Sequence, residues 1–209
     1  MNLNIRLLIC CCFFINLLAA QEEIENPGQY SEDPESVYFN LESFYPIGLG
    51  NSPYAEIYNF DPGYALDFNW FVKPKFTLGA RYSFFRGYVE DKSKIGNISN
   101  TKFHLFGITR GYYQALDKNW NLHYKLGIGA VLNRHRAPED HFSDEGGKTW
   151  ASVEFSRRLD RTLGFFIKTG LDYEFLHINS SPEVESYLNS NFLVNLGLGI
   201  RIYFQNPGG

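Results

Sequence analysis

The chain has 209 residues, a formal net charge of −4 at neutral pH, and 17% aromatic residues. This length fits a single domain. The mild acidity argues against a nucleic-acid partner, which would require a clustered basic surface.

The first twenty residues have the layout of a secretory signal peptide. A positive charge at Arg6 precedes the apolar run LLICCCFFINLL, and small residues end the segment at Ala20. The run is too short for a membrane-spanning helix, so we expect export and cleavage after Ala20. All three cysteines lie in this run, at 10–12, so the mature chain is expected to form neither disulfides nor thiolate metal sites. The acidic segment 21–35 predicts a flexible leader.

From residue 36 the sequence predicts eight β-strands, because large apolar residues alternate with polar or small ones at a period of two. The predicted strands cover roughly 37–45, 64–72, 76–84, 102–114, 120–132, 151–156, 163–174 and 190–204. The fourth strand is apolar on both sides, so its faces stay unassigned and a bulge is one interpretation.

Short connections alternate with long ones along the predicted strands. The short ones lie near 73–75, 116–119 and 158–161, and the long ones at 46–62, 89–100, 133–148 and 177–188. Antiparallel strands joined in this way place every long loop at one end of the barrel and both termini at the other.

Two exported eight-stranded architectures have this alternation: a lipocalin-like soluble barrel with an apolar interior, and an outer-membrane barrel with an apolar exterior. Crowding helps to choose between them, because the inner face of a small barrel has less room than the outer face, and the soluble lipocalin-like ligand-binding barrel stays the alternative. Glycine collects on the polar face, at Gly79, Gly127, Gly129, Gly164, Gly170, Gly197 and Gly199. The polar face is therefore predicted to be the inner one. The fold class is all-β, an eight-stranded antiparallel up-and-down transmembrane β-barrel.

The predicted inner face carries charges of both signs, which form a candidate lumen polar network. Its members are Asp67, Arg81, Lys125, Glu154, Lys168, Asp172, Glu174 and Arg201. Trp70 and Trp120 fall beside short turns, where an interfacial aromatic girdle is expected.

The last strand ends in GIRIYF, residues 199–204, and on this motif the chain resembles the small eight-stranded outer-membrane β-barrels, the OmpX- and OmpA-like barrel domains of double-membraned bacteria. The resemblance covers 36–204 and leaves 205–209 as a C-terminal tail. It implies an assembly signal at Gly199, Ile202 and Phe204 that the barrel-assembly machinery reads during insertion. It also implies an outer-membrane location. The segments NLESFYPIGLGN and FTLGARYSFF are similar to barrel proteins labelled PorT-like, a group linked to protein secretion.

Eight strands leave an interior that side chains fill, so no wide channel is expected. The favoured function is non-enzymatic and without a cofactor: a structural role, surface contact, or an accessory role in an outer-membrane complex. The expected partners are outer-membrane lipids, the assembly machinery and another outer-membrane protein. The aromatic loop 46–62 is the candidate contact surface, with packing over the barrel mouth as the alternative.

Two chemical alternatives remain. A lipid acyl hydrolase or transferase needs a nucleophile and a base near the rim, and its candidate residues are His177, Ser180, Ser181 and Glu174. The segment 133–148 gathers possible metal ligands at His135, Glu139, Asp140, His141, Asp144 and Glu145. Their spacing fits no standard metal site, so a solvated surface loop is the preferred interpretation of this segment.

Overall fold

The computed structural model describes residues 37–117, 119–138, 141–177 and 188–204. The predicted signal peptide, leader and C-terminal tail lie outside these residues. The elements in chain order are β1 Val37–Gly48, α1 Pro53–Ile57, β2 Tyr58–Phe60, β3 Gly63–Lys73, β4 Phe76–Val89, α2 Lys92–Ile95, β5 Asn100–Ala115, β6 Trp120–Arg136, β7 His141–Arg158, β8 Leu163–His177 and β9 Ser190–Phe204. No helix among the described residues has the length and apolar character to cross a membrane.

The eight long strands close into an antiparallel barrel. Each pairs with its neighbours along the chain, and β1 pairs with β9 from Val37 opposite Phe204 to Gly48 opposite Leu193. The short β2 pairs with the end of β4 that lies nearest the long loops, beyond the part that pairs with β3, and Phe60 lies opposite Gly87. The predicted fold class is confirmed, and every strand edge in the barrel wall has a partner over most of its length.

The polar face of each strand lies inside the barrel and the apolar face lies outside. In β9, Arg201 is fully buried, whereas Leu198 is 66% exposed. The same polarity holds in β6, where Lys125 is buried and Ile128 is 59% exposed. A lipocalin-like barrel requires the reverse arrangement.

Crowding inside the barrel explains the glycines on its inner face, and one large residue shows this most clearly. Trp150 points inward and is only 6% exposed. Its indole ring lies against the backbone of Gly127 on β6 and Gly107 on β5, where a Cβ atom would overlap it. A tryptophan therefore fits in the interior because its neighbours on two adjacent strands have no side chains.

The fourth predicted strand corresponds to β5, and its inward and outward faces are distinct in the structure. It pairs in unbroken register with β4 and β6, so it contains no bulge. Phe103 and Leu105 point inward into buried apolar clusters, while Phe106 and Ile108 point outward. The sequence pattern was ambiguous because both faces of this strand carry large apolar residues.

The prediction of a loop at 133–148 is wrong. The strands β6 and β7 continue to Arg136 and from His141, in register with each other, so only residues 137–140 connect them. The described residues of this segment belong to a long β-hairpin rather than to a solvated loop.

Candidate functional site

Among the residues that the structure describes, the barrel interior contains ten buried charged residues, and their charges balance. The acidic members are Glu42, Asp67, Glu154, Asp172 and Glu174, and the basic members are Arg81, Lys125, Lys148, Lys168 and Arg201. All eight residues of the predicted lumen network are in this set. Glu42 and Lys148 are not among the predicted members. The alternation of β1 nevertheless places Glu42 on the polar face, and Lys148 lies in the segment that the sequence predicts as a loop.

Seven of these residues form a chain of alternating charge that runs through the interior from the short-turn end to the middle of the barrel. At one end, Arg201 lies 2.5 Å from Glu154, and Glu154 also lies 2.7 Å from Lys125. Lys125 is 3.5 Å from Asp67.

The chain continues toward the long-loop end through β4, β1 and β8. Arg81 donates to Asp67 and to Glu42, at 2.8 Å in each case. Lys168 closes the series by donating to Glu42 at 2.6 Å. Every cation in this series of ion pairs therefore has a carboxylate partner, as buried charges require.

A second ionic group lies nearer the barrel mouth. Lys148 is 2.8 Å from Asp172 and 3.7 Å from Glu174. Asp172 also accepts a hydrogen bond from the Asn195 side chain at 2.6 Å. This group links β7, β8 and β9 in the upper half of the barrel.

Below the charge chain, toward the short-turn end, the interior is filled by His123 and aromatic rings. His123 is fully buried and bonds through its two ring nitrogens to the hydroxyls of Tyr38, at 2.6 Å, and Thr77, at 2.9 Å. The Arg201 guanidinium lies 4.2 Å from the centre of the Tyr38 ring, a cation–π contact. These contacts occupy the lower lumen with side chains.

The mouth of the barrel is covered by the segment that connects β1 to β3, residues 49–62. Its Tyr54 is buried and donates to Glu174, across the interior on β8, and the Asn133 amide donates to the Tyr54 hydroxyl at 3.0 Å. Tyr54 also packs edge-on against Phe103 at 5.2 Å. The sequence predicts loop 46–62 as a contact surface, with packing over the mouth as the alternative. For this buried part, packing over the mouth is the observed arrangement.

The interior is too tightly filled for a wide pore at this level. A cavity of about 10 Å³ separates the two ionic groups, and its lining includes Arg81, Lys148, Lys168 and Asp172. That volume is near the minimum that one water molecule needs. The charged interior therefore forms a plug.

The candidate catalytic residues are not brought together by the described strands. Glu174 points into the lumen and is bonded to Tyr54 and Asn133, whereas His177, three residues further along β8, is exposed. Side chains three apart in a strand lie on opposite faces. Ser180 and Ser181 lie outside the described residues.

The candidate metal ligands are also dispersed. His135 faces inward and bonds to Asp144 at 3.0 Å, while His141 and Glu145 are exposed. Glu139 and Asp140 lie outside the described residues, and within the remainder no group of three or more His, Cys, Asp or Glu side chains is arranged to hold a metal ion.

The three residues of the predicted assembly signal lie in the closing strand. Gly199 faces inward, where a Cβ would overlap the Phe166 ring and the backbone of β1. Ile202 and Phe204 face outward, and Phe204 packs against Phe39 with ring centres 5.5 Å apart. Their reading by an assembly machinery stays a prediction.

The fold is similar to those of two solved outer-membrane proteins. Neisserial surface protein A aligns with a TM-score of 0.62 over 80% of this chain and 97% of its own, at 8% identity. The outer membrane protein OprG from Pseudomonas aeruginosa aligns with a TM-score of 0.53 over 82% of this chain and 97% of its own, at 11% identity. The sequence matches no protein-family model and no curated protein. At identities this low, the likeness concerns the fold alone.

Proposed function

We propose that this chain, which has the fold of the small eight-stranded outer-membrane β-barrels, is an integral protein of the outer membrane of a double-membraned bacterium. In this proposal it has no enzymatic activity and serves a structural or accessory role. The observation that carries the proposal is the polarity of the wall: large apolar side chains face out and a balanced set of charges faces in.

The outer face has the chemistry of a surface in contact with hydrocarbon. Ile108, Ile128 and Leu198 are each about 60% exposed at outward positions. Soluble monomers rarely expose apolar patches beyond a few hundred Å², because such surface drives association in water. In a bilayer the same surface is favourable, and closure of the barrel pairs the backbone groups that lipid cannot solvate.

The interior supports a structural role rather than transport or catalysis. The alternating charges neutralise one another, and Tyr54 ties the mouth segment to the opposite wall through Glu174. The partners that we propose are outer-membrane lipids, the assembly machinery during insertion and, for the accessory role, a second outer-membrane protein.

Membrane fractionation with a heat-modifiability gel tests the membrane assignment. We expect the protein in the outer-membrane fraction, with different gel mobility before and after boiling. A soluble protein whose mobility does not change on boiling would refute the proposal.

A pair of substitutions tests the lipid-facing wall directly. Ile128 lies midway along β6 and Leu159 lies in the short turn after β7, with exposures of 59% and 63%. Ile128→Lys should destabilise the folded barrel in vesicles by about 2–4 kcal/mol and Leu159→Lys by about 0–1 kcal/mol, since the cost of a lipid-facing lysine depends on depth. Equal effects would contradict a membrane-embedded wall.

The proposed accessory role and the proposed lack of enzymatic activity are tested separately. Co-purification in mild detergent should recover a larger outer-membrane assembly if the role is accessory, whereas an isolated barrel would favour a stand-alone structural role. Mass spectrometry of lipids incubated with the protein should show unchanged acyl chains, and deacylation that His177→Ala abolishes would refute the non-enzymatic assignment.

A further inference from the structure

One stretch of the outer wall, near the long-loop end, carries basic rather than apolar side chains. On β4, β5 and β6, Arg86 lies opposite Lys102, and Lys102 lies opposite Arg134, in a single cross-strand row. Arg136 follows in the next row, opposite Asn100. We call the surface formed by Arg86, Lys102, Arg134 and Arg136 the basic groove.

The basic groove has no acidic counterpart in the described structure. None of its four cations forms a salt bridge with a carboxylate there, and the outward-facing Glu145 lies one row lower, opposite Leu132. Like charges directly opposite each other in a sheet are destabilising. An arrangement that costs stability in the isolated protein is explained if an anion occupies it.

The shape of the surface suits a ligand of headgroup size. A concavity of about 670 Å³ lies over the basic groove, and its lining also includes Phe84, Asn100 and His104. Ligand sites typically have volumes of several hundred Å³. Arginine and lysine on three adjacent strands present several N–H donors to one point, which is how proteins hold phosphate oxygens.

An apolar surface continues directly from the groove toward the middle of the barrel wall. Phe106 and Ile108 on β5 and Ile128 on β6 are all more than half exposed and face outward. The combined surface is cationic at the level of the loops and apolar below it. An amphiphile with an anionic head and hydrocarbon chains matches both parts.

The basic groove is also confined to one side of the barrel. At the corresponding end of β1, β8 and β9, the outward side chains include Tyr45, Ile47, Phe175 and Phe192, each exposed by about two-fifths. Cations that merely snorkel to an interface are expected all around the wall. Their restriction to three adjacent strands indicates a single binding site.

We propose that the basic groove binds the phosphate-bearing headgroup of an anionic membrane lipid in the leaflet at the long-loop end, with the lipid chains along the apolar face of β5 and β6. This proposal rests on the proposed membrane location. It adds a specific lipid site to a wall that would otherwise contact lipid without selectivity.

Native mass spectrometry of the full protein, purified in a neutral detergent, tests the site. The protein is titrated with phosphatidic acid and with phosphatidylcholine of the same chains. The test variant is Lys102→Gln with Arg134→Gln. The control is Arg110→Gln with Arg157→Gln, which removes two outward cations from the same wall near the short turns, where they lie over Phe76 and Trp120.

The wild type should bind phosphatidic acid about tenfold more tightly than phosphatidylcholine, since one charge-assisted contact corresponds to roughly that factor. The test variant should lose about tenfold in phosphatidic acid affinity, and the control should keep the wild-type value. Equal affinity of the wild type for both lipids, or an equal loss in both variants, would overturn the proposal.

Two further measurements complete the test. One distinguishes a lipid headgroup from free phosphate, and the other distinguishes failure of the lipid site from failure of the proposed function. Inorganic phosphate at millimolar concentration should not displace phosphatidic acid, and complete displacement would assign the groove to free phosphate instead. A heat-modifiable barrel that does not distinguish the two lipids refutes only the lipid site, whereas a chain that forms no such barrel refutes the proposed function.

Discussion

Neutralising Glu154 should be among the most damaging single changes in the barrel interior. Its carboxylate lies 2.5 Å from Arg201 and 2.7 Å from Lys125, and it accepts a hydrogen bond from Asn40 at 3.2 Å. Glu154→Gln keeps the shape of the side chain but leaves five cations against four carboxylates in the plug. Arg201 then has no carboxylate partner, while Lys125 retains only Asp67 at 3.5 Å.

The expected size of the effect follows from the burial of these groups. Removing one partner of a fully buried ion pair costs about 3–5 kcal/mol, because the remaining charge stays desolvated. With a urea dependence of about 2 kcal/mol per molar, the unfolding midpoint should fall by roughly 1.5–2.5 M. Urea titration of the barrel in phospholipid vesicles, followed by tryptophan fluorescence, measures this shift.

Two companion variants make the result specific. The exposed Glu90→Gln makes the same chemical change on a loop and should alter stability by no more than about 0.5 kcal/mol. Combining Glu154→Gln with Arg201→Met restores the charge balance, so the double variant should be less destabilised than the sum of the single ones by about 0.5–3 kcal/mol. If Glu154→Gln matches Glu90→Gln, or the double variant is additive, the plug is not held by charge compensation.

Three other variants test the mouth, the interior packing and a turn. Tyr54→Phe should cost about 1–3 kcal/mol, because it leaves Glu174 without its hydroxyl donor; hydrogen exchange of the mouth segment should increase, and unchanged exchange would refute this contact. Gly127→Val should destabilise by about 1–3 kcal/mol, since its side chain would overlap the Trp150 ring, and the fluorescence of Trp150 should shift; an unperturbed spectrum would contradict the packing. Asp160 accepts hydrogen bonds from the backbone N–H groups of the residue before β8 and of the first residue of β8, which lowers its pKa. The stabilisation that it gives is therefore present above the usual pKa range of aspartate and is lost as the pH falls through the lowered pKa. Asp160→Asn should remove that part of the difference in unfolding midpoint between about pH 6 and about pH 2, and an unchanged difference would show that the turn contributes nothing.

The sequence predicts the architecture well where lipid and lumen impose opposite polarity on the two faces of a strand. In β9 this contrast runs from Phe192 to Phe204 without interruption, and the strand bounds follow from it. The glycine positions then distinguish inside from outside, because they report the lack of room near rings such as Trp150.

The same signal disappears where the contrast in polarity disappears. Beyond Leu132, β6 has polar side chains on both faces, with Asn133 and His135 inward and Arg134 and Arg136 outward. A period-two pattern cannot be seen there, so the sequence predicts a loop where the β6–β7 hairpin continues. For this reason the predicted lumen set lacks Lys148.

The packing of the mouth segment does not follow from the sequence for a different reason. Its sequence shows that Tyr54 and Phe60 are too apolar for a solvated loop, but not which surface covers them. Their partners, Phe103 and Glu174, come from strands far away in the sequence. Only the closed barrel brings these residues together.

The connectivity of the charged plug has a consequence for how the barrel reaches its final state. Glu42 on β1 pairs with Arg81, 39 residues away, and with Lys168, 126 residues away, while Arg201 on β9 pairs with Glu154 on β7. Partial sheets of a few adjacent strands therefore contain unmatched charges. An open intermediate within the bilayer would hold these charges in hydrocarbon, so insertion and closure should be concerted, with the first and last strands joining as the interior becomes neutral.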